Sequence, residues 1–210
     1  MNGVMGKMNV LCEWLVRLVL IQFYWVLFSL LGLVVFGLVP STMAMFSVTR
    51  QLFLKNGDVP LFRTFKESFF NQFLKGTGVG AILLLVTGIL YVDYRFFIEH
   101  ETMSVVAILI LAISFFAGMI ACFLFPVYAH YNVPVWEGIK KSVFVCLSHL
   151  HYGLIAVVGT GLLMLLYVVF SGLLILVGGS TIAMFLTILG QKVFRNIEQK
   201  YLALQRKEAH

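Results

Sequence analysis

Residues 142–191 read SVFVCLSHLHYGLIAVVGTGLLMLLYVVFSGLLILVGGSTIAMFLTILGQ, a run of fifty residues that contains no Asp, Glu, Lys or Arg. A helix needs about 20 apolar residues to cross a hydrocarbon core of roughly 30 Å. The run is therefore long enough for two membrane crossings. The pair Gly178-Gly179 is the turn expected between them.

Three more uncharged runs, at residues 18–49, 76–92 and 102–136, each hold one further crossing. The first is longer than the apolar region of a signal peptide, which has about 7–15 residues, so we interpret it as a retained span. In total the sequence predicts five spans, at about residues 15–39, 76–97, 103–128, 153–177 and 180–196.

The composition agrees with a membrane protein. Hydrophobic residues make up 61% of the 210-residue chain and charged residues 11%, whereas a soluble domain has about 45–50% and 25%. The predicted fold is all-α: a polytopic transmembrane helical bundle that forms one integral membrane domain over residues 1–210. The net charge of +6 comes from Lys and Arg at the ends of apolar runs. Membrane topology explains this placement, so the expected partner is the lipid bilayer and not nucleic acid.

All four prolines fall into two similar blocks. Pro40 and Pro126 each lie at or near the end of a predicted span, and Pro60 and Pro134 each open a polar-striped segment that leads to the next run. Proline suits the first turn of a helix, and the striping predicts amphipathic helices at about 60–74 and 134–146, on the cytoplasmic side of the membrane. Either an internal duplication or independent origin explains the pattern.

The amphipathic helices and their prolines supply the candidate structural or partner-contact residues. These are Pro40, Pro60, Phe62, Phe65, Lys66, Pro126, Pro134, Trp136 and Lys140. Two polar positions in or near spans, Gln22 and Asp93, are further candidates. Gln22 is placed to bond a neighbouring helix, and Asp93 is interpreted as an interface charge near a helix end.

The basic residues predict the orientation. Twelve of the 15 Lys and Arg lie between spans one and two, between spans three and four, or after span five. Basic loops stay in the cytoplasm, so the C-terminus is expected inside the cell. Five spans then put the N-terminus outside. If Pro40 breaks the first run into two membrane segments, six spans put it inside.

The motifs of common active sites are absent from the sequence. It has no HExxH, no GxSxG and no complete phosphate-binding loop. His130, His149 and His151 are interpreted as interfacial residues. No charge lies in the middle of a predicted span, which disfavours a proton-coupled carrier. The sequence therefore predicts no catalytic, cofactor-binding or metal site.

Two stretches resemble a known family. Residues 22–40, QFYWVLFSLLGLVVFGLVP, and residues 59–65, VPLFRTF, are similar to the YesL-like family of bacterial integral membrane proteins of unknown function. Gln22 stands where the family often has Asn. The resemblance implies an association with carbohydrate uptake, because members are often encoded beside carbohydrate ABC-transporter genes, and it carries over no catalytic residues.

The resulting hypothesis is a non-enzymatic accessory or regulatory component of carbohydrate uptake in the cytoplasmic membrane of a bacterium. A carbohydrate ABC transporter is its implied partner, and a homo-oligomer is left open. The alternative is a small-solute transporter or channel, because many transporters are built from repeats. An intramembrane enzyme is the third and weakest hypothesis.

Overall fold

The computed structural model describes residues 4–55, 57–98, 104–131 and 133–208, and within these ranges the chain forms helices joined by short turns, without any strand. The helices are α1 (Val4–Leu31), α2 (Leu38–Leu54), α3 (Leu61–Ile98), α4 (Ser104–His130), α5 (Val135–Ser148), α6 (Leu150–Val169), the short α7 (Ser171–Leu173) and α8 (Gly179–Glu208), with a π-helical turn at Leu174–Gly178 before α8. The all-α fold class is confirmed.

Five helical segments of the described chain are long and apolar enough to cross a membrane. They are Met8–Leu31, Leu61–Phe97, Ile108–His130, Leu150–Val169 and Ser171–Gln199. Large apolar side chains project from their outer surfaces, such as Val168 at 80% exposure and Ile175 at 74%. Because that surface needs a lipid solvent, the chain is a multi-pass membrane protein.

The predicted first span at 15–39 is wrong in its boundaries, because the chain reverses at residues 32–37. Leu33 and Val34 both adopt left-handed φ angles, of 58° and 60°. Gly32 and Gly37 pack so closely that a Cβ on Gly32 would collide with the Gly37 backbone. The reversal is thus tight enough to need two glycines. The run is therefore divided into two helical segments, α1 and α2, as the six-segment alternative expected. The break lies at the glycine reversal and not at Pro40, which is in the first turn of α2, where proline is tolerated.

Helix α2 is the centre of the molecule and packs against α1, α3, α4 and α8. It runs antiparallel to α1, since Trp25 Nε1 donates to Thr42 Oγ1 near the reversal and Trp14 packs on Phe53 at the other end. With 17 residues it is about 26 Å long. It is not one of the five candidate spans, yet its ten buried residues place it inside the bundle.

Because α2 brings the chain back, α1 and α3 run parallel. Tyr24 contacts Phe62 and Phe28 contacts Phe69, so both helices advance in the same direction. The strict alternation of five spans, which put the two termini on opposite sides, is therefore wrong. The start of α1, the start of α3 and the ends of α4 and α8 lie at one end of the molecule, which we call the basic end.

The predicted amphipathic helix at 60–74 and the predicted span at 76–97 form one continuous helix, α3. Pro60 precedes its first turn, but nothing interrupts the helix at Lys75 and Gly76. Gly76 instead provides the close contact with Pro40 of α2, since a Cβ there would lie 2.8 Å from the Pro40 Cα. The prediction of a separate interfacial helix at 60–74 is therefore wrong, because α3 continues through Gly76 without interruption.

The second proline block has a different structure. Pro126 lies inside α4, which continues to His130. The helix therefore ends two residues after the predicted span at 103–128; the first residue of that span lies outside the described residues. A separate amphipathic helix does follow: α5 starts directly after Pro134 and ends at Ser148, two residues beyond the predicted 134–146. Of the two proline blocks, only the second therefore contains the separate amphipathic helix that was predicted for both.

The predicted turn at Gly178-Gly179 is also wrong. The chain reverses at Phe170, which has φ −116° and ψ 70° and ends α6 at Val169. The span predicted at 153–177 is therefore two pieces, and the span predicted at 180–196 belongs to a longer segment that begins at Ser171 and includes the π-helical turn. Both glycines are helical, Gly178 in the π-helical turn and Gly179 at the start of α8. A Cβ on Gly179 would lie 3.0 Å from the Gln22 Oε1, so this glycine allows α1 to approach closely.

Candidate functional site

Helix α5 presents one uninterrupted outer face at the basic end. Trp136, Lys140, Phe144 and Leu147 follow each other at helical spacing and are exposed, the three apolar side chains by 60–65%. The Lys140 Nζ lies 5.8 Å from the centre of the Trp136 ring, which is a cation–π contact. We call these four residues the α5 outer face. They combine apolar area with a positive charge, as docking and interfacial helices do.

The opposite side of α5 is fixed to the bundle. Gly138 lies against the ring of Tyr128 so closely that any Cβ would collide with it, and the Tyr128 hydroxyl donates to the Val135 carbonyl at the first turn of α5. Ser142 and Cys146 are fully buried on the same side. Burial raises the pKa of the Cys146 thiol, which disfavours the reactive thiolate. These contacts fix the position of α5 on the bundle and hence the position of its outer face.

The predicted contact residues do not form one common surface. Pro60, Phe62, Lys66, Pro134, Trp136 and Lys140 are exposed, whereas Pro40, Phe65 and Pro126 are buried. Phe65 is completely buried against Tyr24 and Phe28 of α1. Phe65 and Phe69 of α3 therefore belong to the hydrophobic core, because α1 covers the side of α3 on which they lie.

A cavity of about 650 Å³ lies between α1, α2, α4, α6 and α8. Its walls are mainly apolar, with polar atoms from Gln22, Trp25, Thr42 and Cys122. Trp25 and Thr42 are bonded to each other at 3.0 Å. A largely apolar cavity with a few placed polar groups is a common form of small-molecule site.

Gln22 joins α1 to the start of α8 beside this cavity. Its side chain is 6% exposed, and its Oε1 accepts a hydrogen bond of 3.0 Å from the backbone N–H of Ser180. Ser180 directly follows the junction between the π-helical turn and α8. Such turns disturb the regular backbone ladder and often mark functional positions. The polar Gln22 thus stabilises an irregular backbone inside the apolar bundle.

Comparison with known proteins places this chain in a family. A family model described as "Protein of unknown function, DUF624" matches residues 18–94. The uncharacterised protein YesL of Bacillus subtilis (strain 168) is 32% identical over 202 residues, which cover 95% of each chain. The chain belongs to the YesL-like family.

Two further relatives from Bacillus subtilis (strain 168) are also uncharacterised. YteU is 29% identical over 154 residues, 73% of this chain and 69% of its own length, and YesV is 27% identical over 195 residues, 90% and 92% respectively. No solved structure matches the chain. The segment that the DUF624 model matches holds the second half of α1, all of α2 and most of α3, and therefore Gln22, Trp25 and Thr42. Helix α5 lies outside it.

The remaining candidates are dispersed. Within the part of the chain that the structure describes, no three His, Cys, Asp or Glu residues come close enough to hold a metal ion. His130 pairs with Glu198 at 3.4 Å, and the rings of His149 and His151 are 6.1 Å apart. Asp93 is half-buried near the end of α3, at the end of the molecule opposite to α5.

Proposed function

We propose that this chain is a non-enzymatic accessory or regulatory protein of the cytoplasmic membrane that works with a carbohydrate importer. The observation that carries the proposal is the α5 outer face, a rigidly mounted surface of Trp136, Lys140, Phe144 and Leu147. It suits contact with another membrane protein near the bilayer surface, where Trp is a frequent anchor of interfaces. The link to carbohydrate uptake rests on the family resemblance described above.

The proposal predicts that the α5 outer face holds the importer. Replacing Trp136 and Phe144 together by Ala removes two exposed rings without disturbing the core, and we expect recovery of importer subunits from native membranes to fall about tenfold or more. Mass spectrometry of the affinity-purified full chain measures the recovery. The matched control replaces Leu154 and Leu165, which are exposed apolar residues of α6, together by Ala. Failure of the wild-type chain to enrich an importer, or equal recovery with both double variants, contradicts the proposal.

The proposal includes a bacterial plasma-membrane location with the basic end, and hence the C-terminus, inside the cell. The charge of this end supports it. We expect Lys66→Cys and Lys140→Cys, each in a Cys12→Ser background, to resist a membrane-impermeant maleimide in intact cells and to react after permeabilisation. Of the native cysteines, Cys12 is exposed, Cys122 is half-buried and Cys146 is buried, so the Cys12→Ser protein without an introduced cysteine gives the background labelling. Labelling of either introduced thiol in intact cells would rule out this orientation.

A second candidate, a transporter or channel for small solutes, is favoured by the 650 Å³ cavity that Gln22 and Thr42 line. Sites at helix interfaces with disturbed backbone are typical of transporters. A flux assay with the full chain in liposomes separates the two candidates. Flux of a sugar or an ion above that of empty liposomes favours the transporter, and no flux favours the accessory protein.

A further inference from the structure

A polar cleft of about 380 Å³ opens at the basic end between α2, α3 and α4. Cationic, amide and imidazole donors line it together with hydroxyl groups; the first three kinds are Arg50 and Gln51 of α2, Asn71, Gln72 and Lys75 of α3, and His130 of α4. No carboxylate is among the residues that line the cleft. Cations and amide donors brought together from three helices make a region of positive potential.

The cleft is built by side chains held in place. Gln72 Nε2 donates to Ser47 Oγ at 2.9 Å, which fixes α3 against α2 at the cleft wall. Arg50 is half-buried and lies close enough to His130 to influence it electrostatically. Glu198 approaches His130 at 3.4 Å but does not line the cleft.

A second pocket of about 330 Å³ adjoins the cleft and shares Gln51, Ser68 and Asn71 with it. It adds the exposed Lys55 and the Arg63–Glu67 ion pair, whose charges cancel at a separation of 2.8 Å. The route into the cleft is therefore positive as well, which favours the approach of anions.

The cleft lies at the edge of the apolar part of α3. Lys75 is the last charged residue of α3 before the uncharged run 76–92, so the cleft faces the level at which lipid phosphates meet the aqueous phase. Guanidinium and ammonium groups with amide donors are the groups that bind phosphate in proteins.

We infer that this cleft binds a phosphate group, supplied either by an anionic lipid headgroup or by a free phosphate. The site lies outside the α5 outer face and outside the cavity that Gln22 and Thr42 line. It therefore stands or fails independently of the proposed function.

The test uses the full chain purified in detergent, with inorganic phosphate as one probe and phosphatidylglycerol against phosphatidylcholine as the other. Phosphate binding is measured as the rise of the thermal midpoint with concentration, and lipid retention by native mass spectrometry. We expect Arg50→Gln and Asn71→Asp each to weaken binding about tenfold, through loss of a charge-assisted hydrogen bond and through repulsion. The matched controls, Arg195→Gln and Asn196→Asp, change exposed residues of α8 identically.

The two arms distinguish the source of the phosphate. A midpoint rise with phosphate that the two cleft variants lose identifies a free phosphate, whereas selective retention of phosphatidylglycerol that they lose identifies a lipid headgroup. Asn71 is exposed, so Asn71→Asp keeps the test valid if Arg50→Gln does not fold. Binding of neither probe, or equal binding by cleft and control variants, overturns the inference.

Discussion

Replacing Gly76 by Val should lower the thermal midpoint of the purified protein by roughly 10 °C. A Cβ at this position would lie 2.8 Å from both the Cα and the Cγ of Pro40, so α2 and α3 must move apart. Overpacking of this kind costs up to about 3 kcal/mol, and each kcal/mol shifts the midpoint by about 2–4 °C in a chain of this size. Fluorescence-detected gel filtration of heated samples gives the midpoint.

The control for this prediction is Gly88→Val on the same helix. A Cβ at Gly88 would meet nothing within 4 Å, so the identical substitution changes helix propensity without changing a helix contact. The difference between the two midpoints therefore isolates the contact with Pro40. Equal midpoints for the two variants would show that the close approach of α2 and α3 does not determine stability.

Gln22→Met should be the second most damaging of these substitutions. Met has a similar length and flexibility, but it cannot accept the hydrogen bond from the Ser180 N–H. An unsatisfied buried donor costs about 1–3 kcal/mol, so we expect a midpoint lowered by about 2–12 °C. The thermal midpoint of the full chain in detergent is again the measurement.

Ser29→Ala provides the control on the same helix. The Ser29 hydroxyl is also buried, but among the described residues it has no hydrogen-bond partner. Its removal should therefore change stability by less than about 0.5 kcal/mol. A Gln22→Met protein as stable as the Ser29→Ala protein would mean that the bond between α1 and α8 contributes little.

The sequence predicted the membrane class and the number of candidate spans, because hydropathy is a local property of each helix. The sequence did not predict the chain reversals, because their positions depend on packing between helices. The reversal between α1 and α2 lies inside an uncharged run, where Gly32 and Gly37 stand among apolar residues that look like continuous span. The glycines at 178 and 179 were interpreted as a turn, but the chain reverses earlier, at Phe170.

For the candidate sites too, the sequence revealed local features but not contacts between distant residues. The polar position Gln22 was recognised, since an amide within a span is conspicuous, but its partner Ser180 lies 158 residues away and has no sequence signal. Phe65 is among the candidate structural or partner-contact residues because helical periodicity does not show which neighbouring helix covers an apolar face. The phosphate cleft was not predicted, because Arg50, Asn71 and His130 come from three different helices.

The central position of α2 has a consequence for biogenesis. Ribosomes deliver α1 and α2 first, whereas α8, one of the four neighbours of α2, is synthesised last. Buried residues such as Ser41 and Thr49, along with the rest of the α2 surface, stay incompletely covered until translation is nearly finished. Premature termination upstream of α8 would leave a nascent chain with an unprotected centre, a substrate for membrane quality-control proteases.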